Sequence, residues 1–248
     1  MTDTVTRDAS RLATARALLF DLDGVLTPTV DVHMRAWSRL FTPYLEAQGS
    51  APYSDDDYYL YIDGKPRVDG VRSLLASRGL ELPDGGPDDP AGDGSVWALG
   101  NRKNDAFEAE LTENGVEPYP GSLAFLTAAI DAGYEVAVVS SSRNAGPVLV
   151  TAGIRDRFEV IVDGLVAARE GITGKPAPDT YLRAAELLGL TPEECVVVED
   201  AHSGVQAGRD GDFGLVVGVD RGVGAQGLLD SGADIVVQDL DELIPALR

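Results

Sequence analysis

Residues 20–25 have the sequence Phe-Asp-Leu-Asp-Gly-Val, and their first residue, Phe20, is the last of the short apolar run Ala17–Phe20. An apolar run without alternation is typical of a strand covered by helices on both faces, as in a parallel sheet. Ligands of open parallel sheets bind outside the carboxyl ends of the strands, so Asp21 and Asp23 lie where a site would form. Taken alone, the pattern also suits an Asx turn closed by Gly24, and both interpretations stay open at this point.

The rest of the chain repeats this strand pattern. Helical patterns separate the strands: one is capped by Ser122 and ends at Gly133, and another begins at Asp179 and ends at Gly189. Alternating strands and helices predict an α/β fold, a Rossmann-like doubly wound parallel sheet. The further predicted elements are strands 136–139, 160–162, 196–198, 215–219 and 235–237 and a helix over 147–152.

More than a hundred residues separate the first predicted strand from the second, far more than the roughly two to six residues usual for α/β loops. Apolar positions recur at helical spacing from Val32, and Pro43 is expected to kink or end that helix. Two further helices are predicted over 69–80 and 95–114, joined by a mobile loop at 83–94 that is rich in Pro, Gly and Asp. We therefore predict an inserted helical cap domain at 31–116 in a core formed by 1–30 and 117–248.

Composition excludes several classes of partner and location. Twenty Lys and Arg against 41 Asp and Glu give a formal charge of −21, so neither nucleic acid nor an anionic membrane is an expected partner. The single cysteine, Cys195, cannot form an internal disulfide, which favours a reducing compartment. Residues 1–16 lack the pattern of a signal peptide, and no apolar stretch approaches the roughly 20 residues of a membrane span. We expect a cytoplasmic monomer.

Three other polar stretches follow strands or precede a helix. They are Ser140-Ser141-Ser142, Glu199-Asp200 and Lys175-Pro176-Ala177-Pro178-Asp179. Each alone is consistent with a turn, a solvated helix start or a surface lysine. Together they supply what a phosphoryl group requires, namely hydroxyl and amide donors, a cation, and the hard carboxylate oxygens that Mg²⁺ prefers.

These stretches together resemble the haloacid dehalogenase superfamily of phosphotransferases, in the branch that contains the β-phosphoglucomutases. The resemblance implies a Rossmann-like core with a helical lid inserted after the first motif. The superfamily's four motifs appear in order at Asp21-Leu22-Asp23-Gly24-Val25, Ser140, Lys175-Pro176-Ala177-Pro178-Asp179 and Glu199-Asp200.

The chemistry and the resemblance assign the same roles to these residues. Asp21 attacks phosphorus to form an aspartyl-phosphate, and Asp23 acts as general acid and then as general base. Ser140 orients the transferring group, and Lys175 offsets the negative charge. The presence of Asp23 favours phosphoryl transfer from an oxygen ester over dehalogenation or hydrolysis of a phosphonate. The predicted Mg²⁺ ligands are Asp21, the backbone carbonyl of Asp23 and Asp200, with Glu199 assisting, and the predicted phosphate-binding residues beside them are Ser141, Ser142 and Asn144.

The cap is expected to select the substrate. Arg67 resembles the family's cap arginine, whose guanidinium would hold a distal phosphate. Asp63 stands where the family has a cap lysine, and Lys65 is the candidate to replace it. A solvated helix face or ordinary core packing remains an alternative for several of these cap positions. The full set of candidate substrate-binding residues in the cap is Thr29, His33, Trp37, Lys65, Arg67, Arg102, Lys103 and Asn104.

The resemblance implies a Mg²⁺-dependent mutase that interconverts β-glucose 1-phosphate and glucose 6-phosphate, with glucose 1,6-bisphosphate as intermediate. Closure of the lid would exclude water as an acceptor. Two alternatives remain: a phosphatase acting on a sugar phosphate or another small metabolite, and a sugar-phosphate sensor without turnover.

Overall fold

The computed structural model describes residues 10–248. Residues 1–9, which include most of the segment examined for a signal peptide and the start of the predicted core domain, lie outside the described residues. The chain divides into two compact units. One combines the segment that ends at Pro28 with Glu117–Arg248, and the other is Thr29–Val116. No helix within residues 10–248 is both long enough and apolar enough to cross a lipid bilayer.

The first unit is built on a six-stranded sheet in which every neighbouring pair is parallel. The spatial order is β3-β2-β1-β4-β5-β6, so the order reverses between β1 and β4. This reversal is the point at which doubly wound sheets bind ligands. The predicted fold class is confirmed. The strands are β1 Ala17–Phe20, β2 Glu135–Val139, β3 Val160–Val162, β4 Cys195–Glu199, β5 Leu215–Val219 and β6 Ile235–Val237.

Side chains of β1 alternate between the two faces of the sheet, and both faces are covered. Phe20 packs edge-to-face against Phe125 and Phe158, with ring centroids 6.1 and 6.5 Å apart. Leu19 belongs to a cluster on the other face that includes Tyr181. All four residues of β1 are buried, which explains the absence of alternation in the sequence. The helices of this unit are Pro120–Asp131, Ala145–Thr151, Gly164–Glu170, Asp179–Leu188, His202–Asp210 and Ala225–Asp230, with 3-10 helices at Leu12–Thr14, Arg155–Arg157, Pro192–Glu194 and Leu240–Ala246.

The second unit is helical and has its own hydrophobic cluster, which contains Trp37, Phe41, Leu74 and Leu99. Its long elements bury apolar stripes at helical spacing against one another. They are the helices Thr29–Ala47, Arg67–Ser77 and Val96–Asn114, together with a short helix Asp55–Asp57 that continues as a π-helix over Tyr58–Ile62.

Two local predictions need correction. The helix that begins at Thr29 does not end at Pro43 but runs through it to Ala47, because Pro43 is on the solvent-exposed side, where water can bond the carbonyl that loses its partner. Ser122 does not cap its helix, which begins at Pro120, a residue suited to the first helical position. The segment 83–94 has no helix or strand, as expected, and its mobility stays a prediction. Asn101 donates to the carbonyls of residues 87 and 89 at 3.2 and 2.8 Å.

Candidate active site

The carboxyl ends of β1, β2 and β4 bring the predicted core residues together. Strand β1 lies between β2 and β4, with Phe20 opposite Val138 on one side and Val198 on the other. Asp21, Ser140 and Asp200 therefore emerge from neighbouring strands at the same edge, next to the reversal in strand order.

Lys175 is almost completely enclosed, with 1% of its side chain exposed. Its Nζ donates to Asp21 Oδ1 and to Glu199 Oε1, each at 2.5 Å, and to the Val139 carbonyl at 3.0 Å. An ammonium group has three donors, so these three bonds use all of them. The ammonium group of Lys175 is thus the single cation to which the ends of β1, β2 and β4 are bonded.

Glu199 is bonded at both of its oxygens. Oε1 accepts from Lys175 and from the hydroxyl of Tyr181 at 2.8 Å. Oε2 accepts from the backbone N–H groups of Asp200 and Ala201, at 3.1 and 3.3 Å. This carboxylate therefore orients both the lysine and the turn that leads to Asp200.

Asp21, Glu199 and Asp200 are all buried, and one carboxylate oxygen from each lies within 4.8 Å of the others. Burial raises the pKa of Asp21 well above its usual value, the charges of Glu199 and Asp23 raise it further, and Lys175 acts in the opposite direction. For Lys175, burial alone would lower the pKa, but the charges of Asp21 and Glu199 and the hydrogen bonds to both raise it.

The donor chemistry of this cluster fits a divalent cation. Three carboxylates and one ammonium leave two negative charges when all are ionised, and a divalent ion would neutralise them. The ligand atoms are carboxylate oxygens, as hard cations prefer.

Asp23 lies next to the serine segment. Ser140 is buried, and its hydroxyl is 3.5 Å from Asp23 Oδ2, a long hydrogen bond. Ser140 Oγ also accepts from the N–H of Ser142 at 3.0 Å, and Ser142 Oγ accepts from the N–H of Asn144 at 3.1 Å. Residues 140–144 thus form a chain of side-chain-to-backbone bonds just before helix Ala145–Thr151. Ser141 of the same segment is half-buried.

In the Thr29–Val116 unit, three of the predicted substrate-binding residues form one aromatic and basic cluster. Lys103 is 3% exposed; its Nζ bonds His33 Nδ1 and lies 5.1 Å from the ring centroid of Trp37 and 4.8 Å from that of Phe107. His33 stacks on Phe107 with centroids 4.2 Å apart. Trp37 stacks on Phe41 in the hydrophobic cluster. The charge of Lys103 is therefore enclosed by aromatic rings.

The other predicted residues of this unit have separate sets of contacts. The Arg67 guanidinium donates to Asn101 Oδ1 at 2.9 Å. Lys65 donates to the Tyr61 carbonyl and the Ser73 hydroxyl, and burial lowers the pKa of Lys65. The remaining three differ in exposure: Arg102 forms an exposed ion pair with Asp93, Asn104 donates to Glu108 at 2.6 Å, and Thr29 is fully buried.

Sequence reasoning missed two residues that shape the carboxylate cluster. Tyr181 lies in the helix that is predicted to begin at Asp179, and nothing in that helical pattern indicates the bond from its hydroxyl to Glu199, although a buried tyrosine hydroxyl usually has a polar partner. Gly204 was not singled out. A Cβ there would overlap the carboxylate of Glu199, so this position requires glycine for reasons of space. The sequence signal that could have identified Gly204 is its position in the first turn of the helix that comes just after Glu199 and Asp200.

Comparison with known proteins gives a consistent picture. A family model described as haloacid dehalogenase-like hydrolase matches residues 15–212. The chain is 51% identical over 240 residues to a β-phosphoglucomutase of Mycobacterium tuberculosis, covering 92% of this chain and 91% of that protein. It is 34% identical over 199 residues to hexitol phosphatase A of Escherichia coli, covering 78% of each. A crystal structure of β-phosphoglucomutase from Clostridium difficile superposes with a TM-score of 0.74 at 25% identity, covering 92% of this chain and 93% of that one.

Proposed function

This chain belongs to the haloacid dehalogenase-like hydrolase family, and we propose that it is a Mg²⁺-dependent phosphomutase that converts β-glucose 1-phosphate into glucose 6-phosphate. The observation that carries the proposal is the buried Lys175, which joins Asp21 to Glu199 beside Asp200. Such a cluster suits phosphoryl transfer because it combines a nucleophile, a fixed cation and oxygen ligands for a metal. The 51% identity to a β-phosphoglucomutase supports the choice of substrate.

In the first transfer, a carboxylate oxygen of Asp21 attacks phosphorus. A phosphorus–oxygen bond forms to Asp21 while the bond to the leaving oxygen breaks and its electron pair stays on that oxygen. The carboxyl group of Asp23 donates its proton to this oxygen, so the sugar departs as a neutral alcohol. Lys175 holds Asp21 in place for the attack.

In the second transfer, the aspartyl-phosphate passes its phosphoryl group to another sugar hydroxyl. Asp23, now ionised, accepts the proton of that hydroxyl as its oxygen attacks phosphorus. The bond from phosphorus to Asp21 breaks, and the electron pair restores the carboxylate. The isomerisation balances when glucose 1,6-bisphosphate is the donor of the first transfer, which releases glucose 6-phosphate, and β-glucose 1-phosphate is the acceptor of the second, which forms the bisphosphate again. Both carboxyl groups then return to their starting states.

The proposed metal ligands are the side chains of Asp21 and Asp200 and the backbone carbonyl of Asp23. A bound Mg²⁺ would supply positive charge that offsets the repulsion between these groups and a phosphate dianion. Glu199 assists from outside the ligand set, since its oxygens are bonded to Lys175, Tyr181 and two backbone N–H groups. Ser140 and Lys175 complete the proposed catalytic set.

The Thr29–Val116 unit is the proposed cap. Arg67, whose guanidinium is held by Asn101, is the cap cation best suited to bind a phosphate, and Lys103, bonded to His33 between aromatic rings, is a further proposed cap contact. Ser141, Ser142 and Asn144 are the proposed core contacts of the substrate, and the remaining proposed cap contacts are Thr29, Trp37, Lys65, Arg102 and Asn104. A cytoplasmic location and a monomeric state belong to the same proposal.

The test follows glucose 6-phosphate formation from β-glucose 1-phosphate with Mg²⁺, with and without glucose 1,6-bisphosphate, while inorganic phosphate is measured in parallel. We expect isomerisation that requires the bisphosphate and exceeds phosphate release. Asp21→Asn is expected to abolish it, since the amide is not a nucleophile. Phosphate release without isomerisation would instead indicate a phosphatase and overturn the mutase assignment.

A further inference from the structure

We propose that Arg221 is a positioning residue for Asp23, because it holds the turn that follows Asp23 and so fixes the direction of its carboxyl group. The inference rests on the proposed function, in which Asp23 is the general acid and base. Arg221 itself lies two residues beyond the end of β5, and nothing in its sequence neighbourhood marks it as part of the site.

The side chain of Arg221 reaches the loop after β1 across 197 residues of sequence. Its Nε donates to the carbonyl of Gly24 at 3.1 Å. Its guanidinium carbon lies 3.9 Å from the ring centroid of Tyr119, so the planar group is stacked on an aromatic face. One side chain therefore joins the turn beside Asp23 to the segment that starts helix Pro120–Asp131.

Two further bonds fix the guanidinium from the other side. One terminal nitrogen donates to the Gln238 carbonyl at 3.0 Å, and the other donates to Asp239 Oδ1 at 2.9 Å. The side chain of Arg221 is 18% exposed. A guanidinium with every nitrogen bonded and one face stacked has little freedom, and it can hold the Gly24 carbonyl in one position.

Within this turn the N–H of Gly24 donates to the Thr27 carbonyl at 2.8 Å, whereas the carbonyl of Gly24 accepts from Arg221. Gly24 has a φ of +89°, a conformation that glycine adopts without strain and leaves as readily. The next two carbonyls are held by other groups: Val25 O accepts from Ser122 Oγ at 2.6 Å, and Leu26 O accepts from the N–H of Tyr119 at 3.0 Å. Of the carbonyls of Gly24, Val25 and Leu26, the one that Arg221 holds belongs to the residue next to Asp23, whose carboxyl group has to be directed at the leaving oxygen.

Arg221→Lys is the informative substitution, because lysine retains the charge but cannot reach three separated acceptors or stack in the same way. Loss of the clamp would misplace Asp23 without removing it. The rate of proton donation depends steeply on geometry, and a general acid accelerates a reaction by about 10²- to 10⁴-fold. We expect release of a poor leaving group to slow by roughly 10-fold or more.

The experiment measures the first transfer alone, as the burst of alcohol released when Mg²⁺-loaded enzyme is mixed with an aryl phosphate. Phenyl phosphate needs a proton on its leaving oxygen, whereas 2,4-dinitrophenyl phosphate does not. We expect Arg221→Lys to slow the phenol burst and to leave the dinitrophenolate burst nearly unchanged. In an Asp23→Asn background, Arg221→Lys should have no further effect on the phenol burst, since the two residues act through one step.

Arg248 provides a matched control. Its guanidinium lies 4.3 Å from the ring centroid of Tyr134 and donates to the carbonyls of Ala15, Ala132 and Gly133. These contacts are of the same kind but lie before β1 and β2, at the opposite edge of the sheet. Arg248→Lys should lower thermal stability comparably and change neither burst.

Tyr119→Leu, which removes the aromatic ring on which Arg221 stacks, gives a second perturbation of Arg221. We expect the same selective slowing of the phenol burst, with a smaller amplitude. Equal slowing of both substrates by Arg221→Lys, or a selective effect of Arg248→Lys, would overturn the inference. If the wild-type enzyme shows both bursts but does not isomerise β-glucose 1-phosphate, the sugar assignment fails and the role of Arg221 stands. Absence of a burst from the wild-type enzyme would overturn both.

Discussion

Replacing Lys175 with methionine tests whether this buried cation stabilises the site as the geometry implies. The change keeps the length of the side chain but removes the charge between Asp21 and Glu199, both of which are buried. Breaking a buried ion pair by removing one partner costs about 3–5 kcal/mol. For a chain of this size that corresponds to a fall in melting temperature of roughly 6–20 °C.

The loss of unfolding free energy caused by Lys175→Met should depend on pH and on bound metal. Burial and the neighbouring carboxylates raise the pKa of Asp21, and removal of Lys175 raises it further, so the folded variant binds protons more tightly than the unfolded chain does. Its stability therefore falls as pH rises from the ordinary Asp value of about 3.9 through the raised pKa. The deficit should be largest near neutrality, and saturating Mg²⁺ should reduce it by replacing part of the lost charge.

Urea unfolding followed by circular dichroism, at acidic and neutral pH and with Mg²⁺ or EDTA, measures these effects. Arg183→Met is the control, since Arg183 pairs with Glu170 and Glu186 at the surface. Surface pairs contribute about 0–1 kcal/mol. The reasoning would be refuted if Lys175→Met lowered the free energy of unfolding by no more than Arg183→Met does, or by an amount that is independent of pH.

Three other changes test single contacts. Tyr181→Phe removes the hydroxyl bonded to Glu199 and should cost about 1.5–3 kcal/mol of unfolding free energy and lower kcat more than it changes KM; an unchanged kcat would contradict a role in the site. Gly204→Ala should cost about 1–3 kcal/mol in thermal melts because the methyl group overlaps the Glu199 carboxylate, whereas Gly146→Ala, in open space on another helix, should be neutral or stabilising. Asp220→Asn should cost about 0.5–1.5 kcal/mol near neutrality, since two backbone N–H groups bond the carboxylate. Burial acts to raise the pKa of Asp220 but these N–H groups lower it overall, so the difference from wild type in pH-dependent melts should vanish as pH falls below about 4.

The sheet and the positions of its polar ends were predictable because they depend on local patterns and one topological rule. Ala17–Phe20 is apolar at every position, and a strand with both faces covered has to be. Once the strands are parallel, the residues that follow them meet at one edge, so Asp21, Ser140 and Asp200 converge without any knowledge of side-chain contacts.

What the sequence did not predict depends on contacts between distant residues. The hydroxyl of Tyr181 and the guanidinium of Arg221 are ordinary in their local context, and only the folded chain brings them to Glu199 and Gly24. The effect of Pro43 on its helix depended on which side faces solvent, a property of packing rather than of proline itself. The composition of the 83–94 loop likewise does not show that Asn101 bonds two of its carbonyls.

The bond between the Leu26 carbonyl and the N–H of Tyr119 has a consequence for how this protein can diversify. The chain therefore leaves and re-enters the sheet-bearing unit at adjacent points, and the two ends of the insertion Thr29–Val116 are held together by a hydrogen bond of that unit. Lengthening such an insertion costs little closure entropy, roughly 0.6 kcal/mol for each doubling. One insertion can therefore replace another during evolution and change the substrate that is bound, while the reacting carboxylates of the sheet-bearing unit stay the same.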